Sequence, residues 1–234
     1  MKIAIMQPYI FPYIGYFQLI QAVDNFVLYD NIEFTKKGWI NRNRILVNGK
    51  DEFVSLPLKK DSDYKHIVQR QLADTWATDK LKILNKIKGA YSKAPQYTTV
   101  LPLIEGCLNY NNTNLYYFIA NAIKNICNHL GITTTITTSS SLAINHSLKS
   151  EEKVLAVSNH LGATTYINPI GGLALYSKPT FANSNIELQF LKTKAFEYKQ
   201  FNNEFIPYLS IIDVLMCNDL PTVQQMLTQQ FEII

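Results

Sequence analysis

KIAIMQPYIFPYIGYFQLIQAVDNFVLYD, residues 2–30, decides how this chain folds. Residues 2–6 are an apolar run of strand length, residues 14–23 space their apolar side chains as a helix does, and residues 24–30 are a second β-rich run. That order is a βαβ unit. It implies parallel strands joined by a crossover helix, and so an α/β fold. The anomaly is the connection. A crossover needs only a short link, yet residues 7–15 spend two prolines, three aromatic side chains and a glycine on it, as if the backbone were shaped to receive something. In an open parallel sheet the carboxyl end of a strand is where ligands bind, and the free N–H groups of a helix start favour phosphate or carboxylate. Gln7 and Pro8 open the loop, Gly15 would let a ligand approach the backbone, and Tyr9, Tyr13 and Tyr16 offer rings for a base or sugar. The same residues also read as an aromatic cap on the core, and the loop alone leaves both readings open.

The rest of the chain extends the pattern. Residues 44–58 hold two β-rich runs around Asn48-Gly49, a strong hairpin signal. Residues 78–90 have helical spacing. Thr113 is placed to cap a helix that ends on Gly131, residues 132–138 read as a strand, and Ser150 is placed to cap a further helix. Residues 164–169 and 186–192 read as strands. We expect a Rossmann-like parallel sheet in one α/β domain over residues 1–234, with a helical insertion around 76–130 and a β-hairpin excursion.

Composition narrows the function. With 47% hydrophobic and 17% charged residues, the 234-residue chain can bury a sizeable core, and its apolar runs fall well short of the roughly 18 residues of a membrane span. The apolar run IAIM after Met1-Lys2 is too short for a secretion signal, so a cytoplasmic location is expected. Cys107, Cys127 and Cys217 show no metal or disulfide spacing, and no metal is expected. The net charge of +4 is carried mostly by lysine, with Arg42, Arg44 and Arg70 the only three arginines. That argues against nucleic acid. Two arginines at i, i+2 in KKGWINRNRI suit one anionic small molecule, such as a nucleotide diphosphate.

Three stretches carry polar candidates. Asp30 ends the second strand, and Lys37, Trp39, Asn41, Arg42 and Asn43 follow on a basic loop, which an exposed strand with solvated side chains would explain equally well. Tyr198 and Gln200 precede Ser210 and Asp213, a pair that a capping box would also explain. Gly171 and Gly172, in the turn NPIGG, are further backbone-approach candidates, although the turn is too short for a phosphate-loop or dinucleotide motif. Of the four histidines, His129 and His160 sit at helix ends, and His146 is the one to test as a base.

Residues 6–45, together with AYSKAPQY, YINPIGG and EYKQFNNEFIPYLSIIDVLM, resemble the WbqC-like family over essentially the whole chain. The resemblance implies work on modified sugars of lipopolysaccharide or capsule, such as attaching an acyl or aminoacyl group, glycine for example, to a nucleotide-linked amino-deoxy sugar. A weaker likeness, to HIGH-type nucleotidyltransferases and pantothenate synthetase, concerns fold: Pro12, Gly15 and Tyr16 stand where their H-x-G-H would lie, so adenylyl transfer is not expected. Acyl transfer to an amine needs a base, donors for an oxyanion and a clamp. Lys37 and Arg42 are assigned to the diphosphate, Trp39 to stacking, and Asn41 or Asn43 to sugar hydroxyls or the acyl carbonyl. Asp30, Asn41, His146 and Tyr198 are the catalytic candidates. No bound cofactor is expected, the donor being a thioester on coenzyme A or an acyl carrier protein; an ATP-using ligase or nucleotidyltransferase and a non-catalytic sugar-nucleotide-binding protein are the alternatives.

Overall fold

The computed structural model describes residues 1–62 and 64–234. In chain order the elements are β1 (Lys2–Met6), α1 (Ile14–Gln21), β2 (Asn25–Leu28), β3 (Arg42–Val47), β4 (Lys50–Ser55), α2 (Trp76–Tyr91), α3 (Tyr97–Leu108), α4 (Leu115–Leu130), β5 (Thr135–Thr138), α5 (Ser150–His160), β6 (Thr165–Pro169), α6 (Lys178–Asn183), β7 (Glu187–Thr193), α7 (Ile211–Cys217), α8 (Leu220–Gln229) and β8 (Phe231–Ile233). Six strands form one sheet in the order β5-β2-β1-β6-β7-β8. The first five are parallel, and β8 closes the edge antiparallel to β7. Counting only the strands of this sheet, the order is 3-2-1-4-5-6, that of doubly wound dinucleotide-binding folds, with its switch point between β1 and β6. The fold is Rossmann-like α/β.

Both faces of the sheet are covered at its centre, which is why β1 and β2 read as apolar runs rather than alternations. Ala4, Phe26, Leu28, Ile167 and Leu191 point into the larger core, shared with α1, α4, α7 and α8. Ile3, Ile5, Val27, Tyr166, Leu188 and Phe190 point the other way, against Val154 and Val157 of α5 and Phe181 of α6. Among the described residues no helix is long and apolar enough to cross a membrane.

Two helix starts differ from expectation. Asn114, not Thr113, caps α4: its side chain accepts from the Tyr117 N–H, while the Thr113 hydroxyl donates to Gln71. Asparagine is the stronger cap. Ser150 is the first residue of α5 rather than its cap, and the start of that helix is stabilised instead by Glu151 and Glu152 against the helix dipole. The hairpin β3–β4 turns at Asn48-Gly49, both left-handed (φ 50° and 77°), in the two-residue geometry that matches strand twist.

The hairpin is bound to the loop after β1. Pro8 through Pro12 are buried, and Phe11 adopts φ 42°, a left-handed conformation costly for a bulky residue. Two donors hold it there: the Phe11 carbonyl accepts from Asn43 Nδ2 at 2.6 Å and from Ser210 Oγ at 2.8 Å. The Ile10 N–H donates to the Ile40 carbonyl, the Ile211 N–H to Pro12 and the Ser210 N–H to Arg44. The loop, the hairpin and the start of α7 are therefore one junction. Asn43→Ala leaves the Phe11 carbonyl short of a donor, so it is expected to lower unfolding free energy by about 1–3 kcal/mol, read from urea denaturation, with far-UV circular dichroism unchanged.

Candidate functional site

A cleft of about 410 Å³ lies at the carboxyl end of β1, beside the switch point. Met6 and Gln7 form its floor, Tyr9 and Tyr13 come from the loop, Trp39, Asn43 and Arg44 come from the hairpin and the turn before it, and Tyr208 closes one side. Arg44 supplies its positive charge. The guanidinium is tethered to Asp51 at 2.7 Å and lies 5.6 Å from the Trp39 ring centre, and its buried Nε has no hydrogen-bond partner. Burial raises the hydroxyl pKa of both Tyr9 and Tyr13 above that of free tyrosine. They therefore stay protonated at neutral pH and act as hydrogen-bond donors, not bases.

The aromatic loop serves the core and the cleft together. Tyr16 is turned inward, its ring edge-on to Tyr9 and Phe26 and its hydroxyl on the Gln7 carbonyl. Gly15 is required by a neighbour: a Cβ there would come within 2.4 Å of the Tyr13 ring. That ring, rather than open space, covers the first turn of α1.

The basic loop divides its work. Arg42 lies outside the cleft lining, donating to the Lys37 and Gly38 carbonyls at 2.6 and 3.0 Å and packing over Phe53, and so holds the turn that carries exposed Lys37 and Trp39. Asn41 donates to the Leu56 carbonyl and braces the hairpin. Tyr208 was not singled out in the sequence, and Arg44 was marked only as one of the arginine pair, without a place of its own in the site. Arg42 and Arg44 share a face of β3, so the i, i+2 spacing marked both, but only packing distinguishes the one that braces from the one that lines the cleft.

The four catalytic candidates are not brought together. Asp30, fully buried at the end of β2, accepts from the Ser140 N–H at 2.9 Å and the Ser140 hydroxyl at 2.6 Å. His146 lies nearby, with Nε2 facing the Leu142 carbonyl and Nδ1 facing Lys153 Nζ and Asn31 Nδ2. The carbonyl requires the proton on Nε2, so Nδ1 accepts, and both ring nitrogens are occupied. Burial lowers the pKa of the Lys153 amine, opposed by the Asp30 charge. Tyr198 belongs to a third place: it donates to Asp213 at 2.7 Å, as do Gln200 at 2.8 Å and Tyr91 at 2.8 Å. Burial raises the pKa of the Asp213 carboxyl in spite of these three donors. Ser210 does cap α7, but the Asp213 carboxylate is committed to this network instead of closing a capping box. Gly172 leaves room for the Asn168 amide, which a Cβ would meet at 1.9 Å, and neither Gly171 nor Gly172 lines the cleft. Burial pushes the thiols of Cys107, Cys127 and Cys217 up to about 12, which leaves them unreactive at neutral pH. No group of three His, Cys, Asp or Glu side chains among the described residues could hold a metal ion.

The model of the WbqC-like protein family matches residues 7–225, a span that includes the loop, the cleft and all three polar clusters. The chain belongs to the WbqC-like family. It is 27% identical over 218 residues to the uncharacterized protein Rv1507c of Mycobacterium tuberculosis (strain ATCC 25618 / H37Rv), with 92% of each chain covered. No solved structure matches it. Of the two arginines of β3, Arg44 is the one that lines this cleft. With UDP as a probe anion, Arg44→Ala is expected to weaken binding at least about tenfold, the loss of one charge-assisted hydrogen bond, and Arg42→Ala to weaken it less, as measured by isothermal titration calorimetry.

Proposed function

We propose that this WbqC-like protein is a cytoplasmic N-acyl or aminoacyl transferase, for example a glycyl transferase, acting on the amino group of a nucleotide-linked amino-deoxy sugar in O-antigen or capsule biosynthesis. The donor is a thioester carried by coenzyme A or by an acyl carrier protein. One observation carries this reading: the cleft is lined by aromatic rings, two phenols held protonated and one arginine, with no carboxylate or imidazole among its lining residues. Such a lining suits a base or sugar stacked on Trp39, a diphosphate on Arg44, and phenolic donors toward a developing oxyanion. Aminolysis of a thioester asks for little beyond this. Its leaving group is already activated, and positioning supplies much of the rate.

Activating a free acid with ATP is the more demanding chemistry. The charge developing on transferred phosphate calls for several cations or histidines, whereas Arg44 is the one cationic side chain among the lining residues. Tyr16, at the place of the last histidine of H-x-G-H, is buried with its hydroxyl on a main-chain carbonyl. With ATP, free glycine and an amino-sugar nucleotide, no AMP or pyrophosphate is expected. With acetyl-coenzyme A or a glycyl thioester and a panel of dTDP-, UDP- and GDP-linked amino sugars, mass spectrometry should find the amide. Pyrophosphate released only when all substrates are present would favour the ligase reading, and sugar-nucleotide binding without turnover on any donor would favour a binding protein.

A further inference from the structure

The cleft has a neighbour. A second cavity of about 520 Å³ lies on the far side of Tyr13 and Tyr208, and both cavities have these two rings in their walls. The rings meet edge to face, with centres 6.2 Å apart and planes at 69°. Tyr13 is the anchored half of this partition, its ring packed over Gly15 at the start of α1. Tyr208 is 68% exposed and has φ 58°, a left-handed backbone that a bulky residue enters at a cost. The chain is thus held in a disfavoured conformation with the effect that a large ring stands between two cavities. Neither burial of that ring nor a turn glycine accounts for it.

The second cavity differs in chemistry from the first. Phe196, Phe205, Pro207, Leu209 and Val214 give it apolar walls interrupted by polar Thr193 and Tyr198, and Lys194 and Glu197 are its charged side chains. It holds no arginine among its lining residues. Its volume is within the range of small-molecule sites. The geometry points to a two-lobed site in which the second cavity takes the linear thioester arm of the acyl donor, with the reacting atoms meeting at the Tyr13–Tyr208 partition. This rests on the transferase reading above. A slim chain that alternates methylene groups with amides suits walls of that mixed character, while the nucleotide's negative charge is directed to the lobe that contains Arg44. At the partition the sugar amine attacks the thioester carbonyl carbon; the C–N bond forms, the C–S bond breaks, and the thiolate leaves with the electron pair and takes up the proton that the amine loses. The products are an amide and a free thiol. Tyr13, a protonated phenol common to both lobes, is the donor nearest the place where the oxyanion develops.

Ala195 is exposed and lines only the second cavity, so Ala195→Trp fills that lobe without disturbing the core. Calorimetry with acetyl-pantetheine, which carries the arm but no nucleotide, is expected to show binding weakened at least about tenfold in Ala195→Trp, while a UDP-linked amino sugar binds as to the native protein. Ala195→Glu, which adds bulk and a second carboxylate to that lobe, should act in the same direction, and unchanged melting temperatures would show both variants folded. Acetyl-pantetheine that binds both variants as well as the native chain, or fails to bind a native chain that does bind the sugar nucleotide, overturns the two-lobed site alone. Sugar-nucleotide binding lost along with the thioester also overturns it, since the cavities would then be one. If the native chain binds neither ligand, the transferase reading itself fails.

Discussion

The Phe11 carbonyl is the point on which the site depends. A bulky residue in a left-handed conformation is unfavourable by itself, and here the Asn43 amide and the Ser210 hydroxyl both converge on its oxygen. One donor comes from the hairpin and the other from the cap of α7, segments far apart in sequence. By fixing Phe11 they fix the path of the loop, and so the positions of Tyr9 and Tyr13. They also bring Arg44 and Trp39 over the end of β1. The cleft is the space that this junction leaves open.

Burial then decides which polar groups remain available for chemistry. Asp213, Asp30 and His146 are each surrounded by partners that use their acceptor or donor capacity, and so each serves to bind elements together. Asp213 joins α2, α7 and the segment before it, and through Tyr91, which accepts from the Leu46 N–H, it also reaches β3. What faces the cleft is different in kind. Phenols whose pKa is raised by desolvation remain donors across the neutral range, and Arg44 brings a fixed positive charge held in place by Asp51. The lining therefore offers hydrogen-bond donors and one cation, with no carboxylate or imidazole among its residues.

Much of the frame was legible locally. The apolar run of β1, the helical spacing of α1, the Asn48-Gly49 turn and the Gly131 helix end each depend on backbone preferences or on a periodicity that a few neighbouring residues express. Edge elements were harder to read. β8 is three residues pairing with one neighbour, and α8 begins at Asp219, whose capping role depends on the short helix before it. The start of α4 shows the same limit at smaller scale, since Thr113 and Asn114 are adjacent capping residues and only contacts that a linear reading does not contain assign the cap to Asn114.

By itself, then, the sequence determined a parallel α/β sheet, a hairpin excursion and an aromatic loop at the end of its first strand, because period, turn chemistry and burial pattern are local properties. Only the tertiary structure decided that Arg44 lines the cleft while Arg42 braces a turn, that Gly15 makes room for Tyr13, and that Tyr208 stands between two cavities. Those outcomes depend on which distant segment packs against each residue. Hydrogen bonds such as those joining Asn43 and Ser210 to Phe11 link positions about 30 and 200 residues apart, and no spacing rule along the chain encodes them.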